Sequence, residues 1–435
     1  MSSTAIGITG LAALAVLFAL RVPVGLALIG VSGLGLWQLL SARAAWGLLQ
    51  SVPYQFTASW TLSAVPMFLF MGYICFYSGM TTSLFELAKA LLSRLPGALA
   101  ISSVAACSAF ASVCGSSIAC AAAMGRIAIP EMVRAGYDRN IACGVVAAGG
   151  TIGALIPPSI VLILFGIFAQ TSIIQLFLGG IGMGLATALG YSLVIVAISW
   201  LRPNLIPRRA AAVEPGALMA NLRQMGPLVL LLLGVFGGLF GGIFTTTEAG
   251  AVGATMAFVI AVAQGRFSRT MMVKAMTETV ITCGSLFIIG VGATMLTRFV
   301  SISGAGDLIS SMVIGWDLTY WQFMLLVVVV YLILGTFMDG IGAMLLTLPI
   351  FLPIVEAQNI NLVLFGVLIA KLIEIGMLTP PFGLNVFVIK SVVGNLTSLT
   401  GVFRGVTTFI AIDIAVVLLC IAVPAIVMFF PTLMS

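Results

Sequence analysis

The sequence predicts an all-α polytopic membrane protein. Three observations carry that expectation. Of the 435 residues, 61 % are apolar and 7 % are charged, against roughly a quarter charged in soluble domains. Mean hydropathy is +1.26. The apolar residues gather in runs of about 20, the length a helix needs to cross a bilayer. A water-soluble globule is excluded, and so is a disordered chain, which buries little and carries much charge.

Absences narrow the chemistry. The chain has no His, which removes imidazole ligands and imidazole bases. Its seven Cys are scattered without a C-x-x-C pair, so neither a zinc site nor a disulfide framework is indicated. They read as small core residues. No G-x-x-x-x-G-K-[ST] occurs, which argues against ATP as the direct energy source. The formal charge of +6 is spread as membrane topology, not as a nucleic-acid patch.

Spans are expected over 4–20, 22–40, 60–80, 141–169, 175–200, 226–244, 249–264, 277–300, 361–390 and 402–430. The first is read as a retained helix, because the leader MSSTAIG lacks a positive n-region. Residues 98–130 and 321–355 are apolar but broken at their midpoints, by Gly115-Ser116-Ser117 and by Gly335 to Gly340. Both read as re-entrant helical hairpins, since backbone breaks at membrane depth only inside protein or beside a wet cavity. Residues 83–95 and 306–316 are short and amphipathic and read as interfacial helices. Residues 201–225, with four Arg and three Pro, form the cytoplasmic linker between two halves.

Charge supports this map. With both termini outside, fifteen of the eighteen Lys and Arg fall on the cytoplasmic side, as the positive-inside rule requires. Arg43 and Arg298 stay outside, and Lys371 lies within a span. All six Trp, at 37, 46, 60, 200, 316 and 321, sit near span ends, where aromatic belts form.

The halves share a spaced pattern. Gly153–Pro158 and Gly376–Pro381 both read G-x-L-x-P-P. Pro130 precedes Pro157 by 27 residues, and Pro353 precedes Pro380 by 27. Ser117 precedes Pro157 by 40, and Gly340 precedes Pro380 by 40. Each half therefore runs span, interfacial helix, hairpin, broken span, span. On the charge map the hairpins enter from opposite sides, so the repeats are inverted, a pattern of secondary transporters. Consecutive prolines remove amide donors and break a helix. Freed carbonyls upstream can hold a cation, and the new helix N-terminus downstream can face an anion.

Candidate residues follow from that chemistry. Gly115 permits close backbone approach at the first tip, and Ser116 and Ser117 offer hydroxyl oxygens. Gly149, Gly150 and Thr151 precede the first break, Pro157 and Pro158 make it, and Ser159 follows it. These neutral donors suit a monovalent cation that must also leave. At the second tip Asp339 is a carboxylate in apolar sequence, a functional candidate by position, next to Gly340. The second break offers Thr379, Pro380, Pro381, Gly383 and Asn385. Ser117, Pro158, Asn385 and Arg298 are candidates for the substrate, with Arg298 equally suited to snorkelling at the interface. Lys371 and Glu374 stand three apart on one helix face and are expected to pair. Glu248 and Asp413 are isolated acids whose role is left open.

The runs GSSIACAAAMGRIAIPEMVRAGYDRNIACGVVAAGGTIGALIPPSIVLILFG (115–166), GGIFTTTEAGAVGA (241–254), FMDGIGAMLLTLPIFLPIV (337–355) and FGVLIAKLIEIGMLTPPFGLNVFVIK (365–390) resemble the large membrane subunit of TRAP transporters, the tripartite ATP-independent periplasmic family. The resemblance extends over essentially the whole chain. It departs at Thr246, where the family pattern usually has Pro. It implies an elevator-type transporter driven by a sodium gradient, with sodium as the coupling ion and no other cofactor. Its expected partners are a small four-helix TRAP membrane subunit, not fused here, and a periplasmic substrate-binding protein. Expected substrates are organic carboxylates: C4-dicarboxylates, sialic or sugar acids, or keto acids. By motif, Ser116, Ser117 and Pro157–Ser159 frame one sodium site, and Asp339, Gly340 and Thr379–Asn385 a second.

The implied organisation is N-terminal scaffold spans over 1–60, a first repeat over 61–200, the linker 201–225, scaffold spans over 226–276 and a second repeat over 277–435. The expected function is sodium-driven uptake of an organic carboxylate across a bacterial inner membrane, with both termini periplasmic. The alternative is a stand-alone sodium/carboxylate symporter of the same superfamily that needs no binding protein. A membrane-embedded enzyme is disfavoured by the missing His and the lack of a metal-spaced cluster.

Overall fold

A computed structural model describes residues 2–20, 22–80, 83–208, 217–337, 340–381 and 383–434. Among the described residues there are helices and turns but no strand. The chain opens with α1 (Ser3–Ala19), α2 (Val24–Leu39) and α3 (Ala42–Thr57). A short 3-10 turn at Thr61–Ser63 leads into α4 (Ala64–Tyr77), followed by α5 (Ser83–Leu92). The first hairpin is α6 (Ala98–Cys114) and α7 (Ser117–Arg134). The first broken span is α8 (Arg139–Thr151) and α9 (Ile160–Phe168), and α10 (Ile173–Leu201) closes the half.

Two helices, α11 (Ala217–Phe240) and α12 (Thr246–Ala263), come next. Then follow α13 (Arg269–Ser303), α14 (Ala305–Gly315) and a second hairpin, α15 (Tyr320–Phe337) and α16 (Gly340–Ala357). The second broken span is α17 (Leu362–Gly376) and α18 (Leu384–Val393), and the chain ends in α19 (Leu399–Ala422) and α20 (Ala425–Leu433). The helix order from α4 to α10 therefore recurs from α13 to α19.

Three elements differ from expectation, each for a local reason. The sequence pattern passes over α3, because Arg43, Gln50, Ser51 and Gln55 interrupt its apolar run. It forms nonetheless, with the Ser41 hydroxyl accepting from the Ala44 amide at its start. The last expected span is two helices, because Pro424 cannot extend α19 and instead opens α20. The linker is shorter than 201–225, since α11 already begins at Ala217.

Helix starts follow polar punctuation. Ser116 caps α7, Asp138 caps α8, Ser159 caps α9 and Asn361 caps α17, each side chain accepting from first-turn amides. Glu248, left open by the sequence, closes a capping box with Thr245 at the start of α12. Its carboxylate is used in holding that helix end.

Five helices are individually long and apolar enough to cross a membrane among the described residues. They are α10, α12, α13, α16 and α19. Between helices in lipid, close backbone approach replaces the hydrophobic effect as the source of packing. Helix α8 shows this: α6, α7, α18 and α19 all pack on it. A Cβ on Gly144 would lie 2.3 Å from the Gly405 carbonyl carbon, and one on Gly405 would lie 1.8 Å from the Asn140 carbonyl oxygen. Only paired glycines let α8 and α19 meet at this distance. Helix α17 packs on α9, α10, α15, α16 and α19, and α20 lies on α10.

A second group of helices surrounds α13 and α4. Helices α1, α2 and α3 pack on α13, and α12 packs on α4. Helix α11 lies on α12 and α5. The two groups touch where α4 and α5 meet α6, and where α13 and α14 meet α16. An ion pair from Lys89 on α5 to Glu131 on α7 ties the same boundary.

Candidate functional site

The first tip is built against the first break. Gly115 ends α6 at φ +60°, and a Cβ there would lie 2.4 Å from the Pro158 carbonyl oxygen. A side chain is therefore excluded twice, by conformation and by space. Ser117 packs just behind. A Cβ on Gly150 would lie 3.1 Å from the Ser117 carbonyl oxygen, and one on Gly153 3.4 Å from the Ser117 Cα. The structure thus brings the tip residues Gly115 and Ser117 together with Gly150 of α8 and Pro158 of the first break.

The hydroxyls around this contact are engaged but keep lone pairs. Ser116 Oγ accepts from the Ala119 amide, and Ser159 Oγ accepts from the Leu162 amide. Ser159 Oγ also donates to the Ala154 carbonyl at 2.5 Å. Thr151 Oγ1 donates to the Ala148 carbonyl at 2.6 Å. Pro157, Pro158, Ser159 and Thr151 are all buried. Two helix N-termini, of α7 and α9, begin beside this tip, and each contributes a partial positive charge.

The tip also reaches the other half. Ser117 Oγ donates to Glu374 Oε1 at 3.1 Å and lies 3.9 Å from Met377 Sδ. Glu374 lies in the last turn of α17 and Met377 caps that helix, just before the second break. The expected pairing of Lys371 with Glu374 is therefore corrected. Lys371 pairs with Asp413 instead, at 2.5 Å. The reason is steric position: α19 and α10 cover Lys371, while the first tip covers Glu374.

The second tip repeats the principle with different residues. Gly335 near the end of α15 faces Gly376 at the end of α17; a Cβ on either would lie under 3.0 Å from the other's backbone. Gly340 opens α16 against Ile373 of α17. Asp339, the expected carboxylate at this tip, lies outside the described residues. In the second break, Thr379 Oγ1 donates to the Ile375 carbonyl at 2.7 Å. Gly383 stands at φ +39°, and the Gly383 amide donates to the Thr379 carbonyl. Pro380 and Pro381 are exposed, in contrast to the buried Pro157 and Pro158.

Asn385 sits in the first turn of α18, with its amide N–H on the Met377 carbonyl. Its side chain is 0 % exposed, and neither Oδ1 nor Nδ2 has a hydrogen-bond partner among the described residues. An amide that can make four hydrogen bonds and makes none is costly in a closed interior. Arg298 is placed elsewhere. It lies on α13, and its guanidinium donates to Gln55 of α3 at 3.2 Å.

One constellation escaped the sequence pattern. Tyr191 of α10 donates to Asp413 Oδ1 at 2.7 Å, and Lys371 shares that oxygen. The signal was present as two lone intramembrane charges of opposite sign, but Glu374 offered Lys371 a nearer partner along the chain.

A family model for the tripartite ATP-independent periplasmic transporter, DctM component, matches residues 11–426. The chain belongs to this family of TRAP large permeases. The "C4-dicarboxylate TRAP transporter large permease protein DctM" of Pseudomonas aeruginosa is 33 % identical to this permease over 87 % of this chain and 88 % of its own. The "Isethionate TRAP transporter permease protein DctMQ" of Oleidesulfovibrio alaskensis is 32 % identical over 95 % of this chain and 65 % of its own length. Among solved structures, the YdaH transporter of Alcanivorax borkumensis, whose topology is described as unusual, superposes with a TM-score of 0.63. The match covers 88 % of this chain and 89 % of that one at 14 % identity, which shows a shared fold. The TRAP permease is thus an all-α, multi-pass bacterial membrane protein, as its composition predicts.

Proposed function

We propose that this TRAP permease imports a small organic anion, an organic carboxylate first of all, driven by a sodium gradient. The observation that carries this is the meeting of the first glycine tip with the Pro157–Pro158 break and of the second with the end of α17 just before the Pro380–Pro381 break, with the unpartnered amide of Asn385 beside the second break. Two sets of oxygen donors lie at helix ends, the first largely buried and the second partly exposed, without a cluster of three or more His, Cys, Asp or Glu among the described residues. Hydroxyls and carbonyls of this kind hold a hard monovalent cation weakly enough to release it. The N-termini of α7, α9 and α18 favour an anion nearby.

In this reading Ser116, Ser117, Gly150, Thr151 and the Pro157–Ser159 break hold one sodium ion. Asp339, Gly340 and the Thr379–Gly383 break hold the second, and Asn385 binds the substrate with Ser117 and Pro158. Sodium neutralises Asp339 and places positive charge beside the substrate anion, so a half-loaded carrier moves poorly. Arg298, the remaining candidate, donates one guanidinium N–H to Gln55 of α3, which leaves its other donors for a substrate carboxylate.

The two halves are read as inverted repeats in a bacterial inner membrane, with both termini periplasmic. The body of α6–α10 and α15–α20 carries the site past the helices packed on α4 and α13, in an elevator motion. A small four-helix membrane subunit and a periplasmic binding protein complete the assembly. The name of the P. aeruginosa relative supports a C4-dicarboxylate. The name of the O. alaskensis relative widens the class to a sulfonate, so an anionic headgroup is the common requirement.

Uptake into proteoliposomes holding the permease and its small subunit tests the proposal. Accumulation is expected only with an inward sodium gradient and the binding protein present. Uptake that persists after a sodium ionophore collapses the gradient would overturn sodium coupling. Uptake without any binding protein would make the stand-alone symporter the better reading.

A further inference from the structure

A buried polar chain lies beside the tips and breaks. Lys371 of α17 meets Asp413 of α19 at 2.5 Å, and the same carboxylate oxygen accepts from Tyr191 of α10 at 2.7 Å. The Tyr191 hydroxyl lies 3.5 Å from Thr151 Oγ1, and the Tyr191 ring stands 5.6 Å from the Lys371 ammonium. Thr151 is the last residue of α8, where the helix gives way to the first break. Lys371 and Asp413 are both 0 % exposed. The second carboxylate oxygen, Asp413 Oδ2, is buried and has no hydrogen-bond partner among the described residues.

The surroundings of the ammonium are those of a desolvated monovalent cation. A carboxylate supplies the charge and the Tyr191 ring face adds its quadrupole, while the Tyr191 hydroxyl donates to the same carboxylate and so fixes it. A plain structural ion pair would satisfy both carboxylate oxygens, because each unpaired one is costly in a low-dielectric interior. Here Oδ2 has no partner among the described residues, and the side chains meeting at Oδ1 come from three different helices.

We propose that Lys371 is a resident cation, tethered in a monovalent-cation pocket made by the Asp413 carboxylate and the Tyr191 ring, with Thr151 joined to it only through the Tyr191 hydroxyl. The tether keeps this position from exchanging with the sodium gradient. The inference goes beyond the transport reading and rests on it only for its consequence: the pocket lowers by one the number of ions the cycle takes up. Lys371 acts here as a positioning residue, holding α8, α10, α17 and α19 in one charge balance. Without its ammonium, Asp413 must recruit a replacement charge.

The test uses full-length permease with its small subunit, as wild type, Lys371→Met and Lys371→Met/Asp413→Asn. Melting temperature is read in choline, sodium, potassium and lithium chlorides. Lys371→Met is expected to gain about 5 °C or more from one of the metal ions over choline. The gain should exceed that of wild type and vanish in the double variant. In uptake, the Hill coefficient for that ion should rise by about one in Lys371→Met only.

Equal cation responses in wild type and Lys371→Met would overturn the proposal. So would stabilisation of Lys371→Met by acid alone, with a proton on Asp413; the titratable groups acting on Asp413 are Lys371 on α17 and Tyr191 on α10. If Lys371→Met fails to fold in all three metal salts while the double variant folds, the pocket accepts no free cation and the proposal falls. If wild-type uptake ignores sodium, the transport reading fails, and the melting series still decides the pocket.

Discussion

At the scale of single residues, structure and function pull in opposite directions at Asn385. Its buried side-chain amide has no partner among the described residues, a condition that costs roughly 1–3 kcal/mol. Asn385→Leu is therefore expected to raise the melting temperature of the substrate-free permease while lowering uptake by about a hundredfold, the equivalent of about 2.8 kcal/mol. A fall in both would show that the amide has a structural partner. Gly115→Ala is expected to do the reverse of a neutral change. Its φ of +60° costs an L-residue roughly 1–2 kcal/mol, and the new methyl meets the Pro158 carbonyl. Melting temperature and uptake should both fall. The tips and breaks were legible because Gly, Pro and Ser mark backbone geometry directly. The Lys371–Asp413–Tyr191 cluster was not, because those residues lie 42 and 222 positions apart, and a helical pattern carries no register between helices.

At the scale of elements, each helix start depends on a short side chain doing a local task. Asp138 accepts from the Asn140 and Ile141 amides, so Asp138→Ala should destabilise α8 by about 0.5–2 kcal/mol, read as a lower unfolding temperature. The boundary ion pair at Lys89 has a pH signature. Burial pulls the Lys89 ammonium down, but the hydrogen bond and charge of Glu131, helped by Glu86, outweigh it and leave the group raised. Its contribution is then fully present below the unfolded Lys value near 10.4 and is lost as pH rises through the higher folded value. Unfolding measured from about pH 9 upward through and beyond the unfolded Lys value should show that loss in wild type and less of it in Glu131→Gln. Among elements, α3 was illegible because its polar residues conceal a packed amphipathic helix. The last span hid its division because Pro424 interrupts an apolar run without altering its hydropathy.

At the scale of the whole molecule, two groups of helices share narrow seams. At one of them, a Cβ on Gly342 of α16 would lie 2.7 Å from a methyl of Val24 at the start of α2. A Val24→Cys/Gly342→Cys pair is therefore close enough to cross-link. Oxidation should abolish uptake if α16 must slide past α2, and reduction should restore it; uptake that survives oxidation would exclude motion at this seam. The chain's own seven Cys are all buried, which keeps them from competing. The glycine-to-glycine meeting of α8 and α19 has a consequence for how the molecule is made. Residues 139–151 leave the ribosome well before residues 399–422 exist, a wait of roughly 12–50 s at ordinary synthesis rates. For that time α8 carries a bare backbone groove in the bilayer, open to any passing small-residue helix. Correct assembly thus depends on the last tenth of the chain arriving before a stranger does, and a nascent chain arrested before residue 399 should be bound by insertase or quality-control proteins.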